Sequence, residues 1–288
     1  MGSVRATSQD PETGRYLGAR HYFNTESPDV LLPGVTSIIG MQNKPFLPPW
    51  AAKMAAELAV SKYRYLGVKI ENEGDDGAVD WLKNASRRYT KERSDIGSMA
   101  HDVFERIARG EDAGPVHPDI EQHVAHFGEF MDAVNPEFVA AEDVAWSDTH
   151  GYAGSFDNIS RIWLDPETKK PTPDRSGVPA LLMGDYKTSK NTYPDVSLQL
   201  TAYAFADRIV SPDGTSNPMP KFDGAFVLWV TEGQWQLKPV YIGEDVFRVF
   251  LALLEVFKWD RGLSKKVIGK PIAGSAKKFQ TGTERRAK

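Results

Sequence analysis

At the end of the apolar run Ala180-Leu-Leu-Met-Gly-Asp185-Tyr-Lys187, a carboxylate and an amine stand two residues apart. Side chains alternate along a strand, so Asp185 and Lys187 must point the same way. A divalent cation with a phosphate and a water would satisfy both charges, and a surface ion pair at a strand end explains them as readily. Upstream, Gly154-Ser-Phe-Asp157 sets a second acid in strand-like sequence, although Asn158 beside it also suits an Asp that opens a turn. Two carboxylates at one sheet edge suit a hard cation such as Mg²⁺, which keeps water and takes phosphate oxygens.

His101 has Gly97 one helical turn before it and Glu105 one turn after, so the three share a face, and a Gly there admits the close approach of another backbone. A helical histidine is more often a packing or surface group than a ligand. Beside Asp157 and Asp185 it would tilt the site toward Mn²⁺. Gln199 and Tyr203, four apart, can hydrogen-bond a phosphate or Lys187, with a buried tyrosine as the plain alternative. Glu142 is a further ligand or a group behind the ligands.

The elements that must position these residues follow from periodicity. A strand-like start at His21-Tyr22-Phe23, a Pro-rich turn over 45–49 and helices over 50–66 and 78–91 precede an amphipathic helix beginning near 95. In it Ile96, Ala100, Val103, Phe104 and Ile107 recur at three- and four-residue steps, and Gly110 stops it. Strands follow over 138–146, 153–164 and 180–188, with a polar loop over 165–179. A helix over 195–209, strands over 222–230 and 235–242 and a helix over 244–259 complete the order α-β-β-β-α-β-β-α. Residues 1–94 read as a strand and helical elaboration, 95–262 as the core and 263–288 as a basic, flexible tail.

The 288 residues are 41% hydrophobic, enough for a substantial core. No run approaches the ~20 apolar residues of a membrane span, and the polar start Met1-Gly-Ser-Val-Arg5 lacks a signal peptide's apolar stretch, so the expectation is a cytoplasmic protein without membrane partners. The chain has no cysteine, which excludes disulfides, thiolate zinc sites, iron–sulfur clusters and a cysteine nucleophile. Any metal must sit on His and carboxylates. Net charge is −4, yet 265–288 carries eight Lys or Arg against one Glu; taking that +7 from −4 leaves −11 on the body. An acidic body argues against broad wrapping of nucleic acid and allows a carboxylate site that engages a few phosphates.

Taken in order, Gly97-x-x-x-His101, Gly154-x-x-Asp157, Gly184-Asp185-x-Lys187 and Gln199-x-x-x-Tyr203 resemble the RecB-like branch of the PD-(D/E)xK nucleases, over roughly residues 95–245. The segment Leu32-Pro-Gly-Val-Thr-Ser-Ile-Ile39 is similar to the start of phage-type members. The resemblance implies an α/β restriction-endonuclease-like core, a central mixed sheet flanked by helices with the N-terminal helical elaboration added. It implies that His101, Asp157, Asp185 and the main-chain carbonyl of Tyr186 hold Mg²⁺ or Mn²⁺, that Lys187 positions or polarises the attacking water, and that Gln199 and Tyr203 support the site and the DNA. The CRISPR-associated relatives usually carry four cysteines for an iron–sulfur cluster; this chain has none, and the phage-exonuclease subset fits better.

The expected activity is therefore metal-dependent exonucleolytic hydrolysis of DNA in phage-type processing or recombination, with a recombination or single-strand-binding protein as a further candidate partner. A structure-specific endonuclease of the same fold and a catalytically silent DNA-binding relative are the alternatives. No Gly-x-x-x-x-Gly-Lys-Ser/Thr loop is present, so no nucleotide cofactor is expected. Arg87, Arg88, Lys91 and Arg93 form the best basic patch of the body, or a solvated helix face. Phe46, Trp50, Tyr63 and Tyr65 read first as aromatics that complete the core, and second as a wall on which bases stack. Oligomeric state, strand preference and polarity stay open.

Overall fold

A computed structural model describes residues 3–272. The chain opens with strands β1 (Val4–Gln9), β2 (Tyr16–Asn24) and β3 (Ser27–Pro33), which form a small antiparallel sheet. Helices α1 (Val35–Ile39), α2 (Leu47–Ser61), α3 (Tyr63–Lys83), α4 (Ala85–Ala108) and α5 (Glu121–Val134) follow. Then come β4 (Glu137–Ala141), β5 (Val144–Ser147), β6 (Tyr152–Ser155), β7 (Asn158–Leu164), β8 (Val178–Lys187), α6 (Asp195–Ala204), β9 (Arg208–Val210), β10 (Ser216–Pro218), β11 (Gly224–Val230), β12 (Trp235–Val240) and α7 (Glu244–Arg261).

The central sheet runs β12-β11-β8-β7-β4 and is mixed: β8 and β11 are parallel, and the other neighbours are antiparallel. Its strands bury both faces. Met183, Ala225 and Val227 pack with α1, α6 and α7 on one side, and Ile162, Tyr186, Phe226 and Leu228 with α4 and α5 on the other. That is why β11 reads as a continuous apolar run rather than an alternation. The helices supply matching stripes: Ala100, Val103 and Phe104 on α4, Phe127, Phe130 and Val134 on α5, and Phe250, Leu254 and Phe257 on α7. Each large side chain buried this way contributes roughly 1.5–3 kcal/mol.

Several expected boundaries are corrected. The prolines at 48 and 49 start α2 instead of forming a turn, because a helix's first turn needs no partner for the N–H that proline lacks. The helices expected over 78–91 and from 95 are divided differently. The break falls at Asn84, whose side chain donates to the Asp80 carbonyl at 2.8 Å, and α4 then runs uninterrupted past 95. Helix α5 was not anticipated. The helix over 195–209 stops at Ala204, because Arg208–Val210 pair with β5 as a strand.

The most consequential correction concerns the strands expected over 138–146 and 153–164. Each is two strands in two sheets. Strands β4 and β7 belong to the central sheet, whereas β5 and β6 join β9 and β10 in a second, four-stranded sheet. The two crossings lie side by side at Glu142 and Asp157. Of the expected basic tail, Leu263–Lys265 form a 3₁₀ turn, and residues 273–288 lie outside the described residues. Among the described residues no helix is long and apolar enough to cross a membrane.

Candidate metal centre and its cleft

The carboxyl end of β8 meets both crossings and the middle of α4. At the crossings the Glu142 amide donates to the Asp157 carbonyl and the Phe156 amide to the Asp143 carbonyl, both at 3.1 Å. Glu142 adopts a left-handed backbone, φ 54°, a conformation that costs a non-glycine residue free energy and recurs at functional sites. The kink turns its side chain toward Asp157 and His101. One donor atom from each of His101, Glu142 and Asp157 lies within 4.8 Å of the others. His101 Nδ1 is 3.6 Å from Asp157 Oδ2, and that oxygen also accepts the Tyr186 amide at 2.6 Å.

One imidazole nitrogen and two carboxylate oxygens form a donor set that can hold a divalent cation. The electrostatics agree with the geometry. Burial, with the charges of Asp157 and Glu105 adding to it, pushes Glu142 up to about 8. Without a cation this carboxyl is therefore mostly protonated at neutral pH, and a cation among the three residues would relieve the repulsion. Ser155 donates to Glu142 at 3.4 Å.

Asp185 and Lys187 share a face, as strand alternation requires. The Lys187 ammonium lies 2.8 Å from Asp185 Oδ1 and 2.7 Å from Oδ2. Asp185 is only 1% exposed, and burial raises its pKa against the opposing pull of Lys187. Burial works against the Lys187 ammonium, but the carboxylates of Asp185 and Asp157 outweigh it and hold its pKa above the ordinary lysine value. A charged lysine is thus held at the site by the buried Asp185 and the partly buried Asp157.

Gln199 ties the pair to α6. Its Nε2 donates to Asp185 Oδ1 at 3.1 Å and to the Tyr203 hydroxyl at 3.2 Å, while its Oε1 accepts from Lys187 at 3.4 Å. Tyr203 is buried, and burial keeps its phenol well above its ordinary pKa, so it is a neutral brace for Gln199. Gly154 makes room for it: a Cβ there would lie 2.7 Å from Tyr203 Cε1 and 3.0 Å from Val35 Cβ. The neighbour that Gly97 admits is a side chain rather than a backbone, with the Thr188 hydroxyl 3.0 Å from where its Cβ would stand. The Tyr186 ring is buried edge-on to Phe104, Phe127 and His101, so it packs behind the imidazole while its amide reaches Asp157.

These residues form the floor of a cleft of about 1400 Å³. The expected basic patch is divided. Arg93 lines the cleft, whereas Arg88 donates to the Trp81 carbonyl, Lys91 pairs with Asp95, and Arg87 is exposed elsewhere on α4. Of the N-terminal aromatics, Phe46 and Trp50 line the cleft, while Tyr63 and Tyr65 are exposed away from it; none of the four is a buried core residue. Sequence reasoning missed Arg109, which pairs with Glu105 at 2.6 Å and donates to the Ala141 carbonyl at 3.2 Å, fastening α4 to the residue before Glu142. Trp229 was also missed. It stands beside Lys187 in the parallel register of β11 with β8.

No protein-family model matches the chain, and neither does any curated protein.

Proposed function

We propose that this chain is a metal-dependent DNA exonuclease of the PD-(D/E)xK superfamily, with a restriction-endonuclease-like core, acting in phage-type DNA processing or recombination. One observation carries the reading: His101, Glu142 and Asp157 converge within 4.8 Å, immediately beside a buried acid–lysine pair at the end of a central strand. A structural ion pair explains Asp185 and Lys187 but not three further ligand-type side chains gathered at the same strand end.

A phosphodiester resists hydrolysis because its phosphorus is shielded by negative oxygens. A divalent cation bound by these donors would withdraw charge from the phosphoryl oxygen and acidify a water. His101, Glu142 and Asp157 would hold the cation, with Asp185 and the Tyr186 carbonyl completing its surroundings. Mixed nitrogen and oxygen donors suit Mn²⁺ as well as Mg²⁺. Lys187 aims a fixed positive charge at the attacking water and the transition-state oxygens, a contribution worth several kcal/mol in a water-poor site. Asp185 and Gln199 fix the direction of that ammonium, and Tyr203 fixes Gln199.

The test is digestion of end-labelled linear DNA and covalently closed circles with Mg²⁺ or Mn²⁺. Loss of linear DNA alone is expected. Cutting of circles would favour an endonuclease, and binding without cutting of either substrate would favour a silent DNA-binding relative.

A further inference from the structure

Trp229 is the aromatic residue nearest in register to the acid–lysine pair, and it is fixed in place. Its indole N–H donates to the Ser189 carbonyl at 2.7 Å, and the Lys238 ammonium sits 4.2 Å from its ring centroid. The residues flanking it on β11, Leu228 and Val230, are fully buried, yet Trp229 is only partly buried and lines the cleft. Core packing does not explain a large ring held rigid at the mouth of a cleft.

The N-terminal helices present a second set of rings to the same cleft. Trp50 of α2 meets Tyr89 of α4 edge-on at 6.1 Å, and Phe46 and Tyr89 are 56% and 39% exposed. Exposed rings gathered on one concave surface mark a site for a ligand with apolar faces. Arg20, Arg93 and Lys190 also line the cleft, and among the described residues none of them takes part in an ion pair. Six acids share the lining, Asp102, Glu105, Glu142, Asp157, Asp185 and Glu232, so these cations suit a few phosphates of a ligand with flat rings once a divalent cation offsets the acids. At about 1400 Å³ the cleft exceeds the roughly 300–1,000 Å³ of a pocket for one small molecule.

We infer that Trp229 is a stacking platform for an unpaired nucleobase next to the phosphate at the metal centre, so that the cleft takes a single strand or a frayed end rather than an intact duplex. This rests on the nuclease reading for the position of the phosphate. A base within a duplex has both faces occupied by its neighbours, and at a blunt end only the outer face of the last pair is free, so a platform inside the cleft chiefly rewards a base that has left the stack. The acidic body disfavours a broad duplex footprint and permits a strand held by stacking and a few cations. Because Trp229 is already immobilised, little side-chain entropy is lost when a base settles on it.

The experiment is fluorescence anisotropy with a short labelled single strand, a set of the same strand with one abasic nucleotide moved along it, and the blunt duplex. Ca²⁺ is present to neutralise the acids while limiting cutting. The wild type should bind the intact strand more tightly than the duplex, and one abasic position should weaken binding roughly five- to 150-fold, the equivalent of about 1–3 kcal/mol. Trp229→Ala should lose a similar factor on the intact strand and nothing further on that abasic strand, and Trp229→Phe should recover most of the loss. Equal wild-type affinity for the intact strand and every abasic strand, binding of the duplex at least as tight, or additive losses in Trp229→Ala would each overturn the inference. Cutting with Mg²⁺ or Mn²⁺ is scored separately. Its absence, with the stacking pattern intact, removes the nuclease reading and leaves the platform; its presence with a flat abasic series removes the platform alone.

Discussion

The Glu142 amide donates to the Asp157 carbonyl at 3.1 Å, so the two carboxylates occupy one rung, at the point where two antiparallel strands together leave the central sheet for the second one. The left-handed backbone of Glu142 and the strand change at Asp157 bring both carboxylates to His101. The left-handed Glu142 and its carboxyl, raised to about 8, are both costs of that arrangement in the ion-free protein.

Glu142→Asn removes the partly buried acid and tolerates the left-handed backbone. The ion-free variant should gain about 1 kcal/mol of stability, while the rise in melting temperature that Mn²⁺ gives the wild type should shrink. Thermal melts with and without Mn²⁺ check both. A variant less stable than wild type that responds fully to Mn²⁺ would show that Glu142 serves packing and not the ion.

Lys187→Met should still fold, at some cost in stability because the buried Asp185 loses its cationic partner, yet cut DNA at least about a hundredfold more slowly. Asp185→Ala should be as inactive. Single-turnover rates with far-UV circular dichroism separate chemistry from folding, and undiminished cutting by either variant would remove the pair from the mechanism.

Gly154→Ala places a methyl group against the Tyr203 ring and Val35. Overpacking of this kind costs about 1–3 kcal/mol. Urea unfolding should show that loss, together with slower cutting, because Tyr203 braces Gln199. Unchanged stability would mean that the ring moves aside freely.

His123 and His21 give the protein an acid sensitivity that is independent of the metal centre. Burial lowers both pKa values from 6.5; Arg93 and His126 add to this at His123 against Glu232, and Arg261 adds to it at His21 against the Ala19 carbonyl. The folded forms resist a proton that the unfolded chain accepts, so stability is full above 6.5 and falls as pH drops through that value. Replacing both with Leu should lessen the loss of stability as pH falls from about 7 to about 5, a window in which the raised carboxyls of Glu142 and Asp185 act in the opposite sense. An identical slope in the double variant would refute the assignment.

Much of the site was legible because it depends on local periodicity. Strand alternation puts Asp185 and Lys187 on one face, and the four-residue helical step brings Gln199 to Tyr203. The crossings were only half legible: the polar pairs Glu142-Asp143 and Asp157-Asn158 interrupt the two runs there, but nothing local says that the chain passes at those points from one sheet to another. Glu142 was read as a further ligand or a group behind the ligands, without the left-handed turn that brings it to His101 and Asp157. Helix α5 did carry a periodic signal, with Phe127, Phe130 and Val134 at helical steps, but Gly128 and two histidines dilute it. Trp229 has no distinguishing neighbour in sequence; only the parallel register of β11 with β8 sets it beside Lys187. The four basic residues from 87 to 93 spread around α4, which a linear cluster conceals.

The central claim is that one cation, held by His101, Glu142 and Asp157, drives phosphodiester hydrolysis. The most direct measurement is the cutting rate of labelled linear DNA against free Mn²⁺ for the wild type, His101→Ala, Glu142→Gln and Asp185→Ala. The account predicts no cutting without metal, a half-saturating Mn²⁺ concentration moved upward in the His101 and Glu142 variants, and no cutting at any Mn²⁺ concentration in Asp185→Ala. Metal-independent cutting, or half-saturation unchanged in both ligand variants, would contradict it.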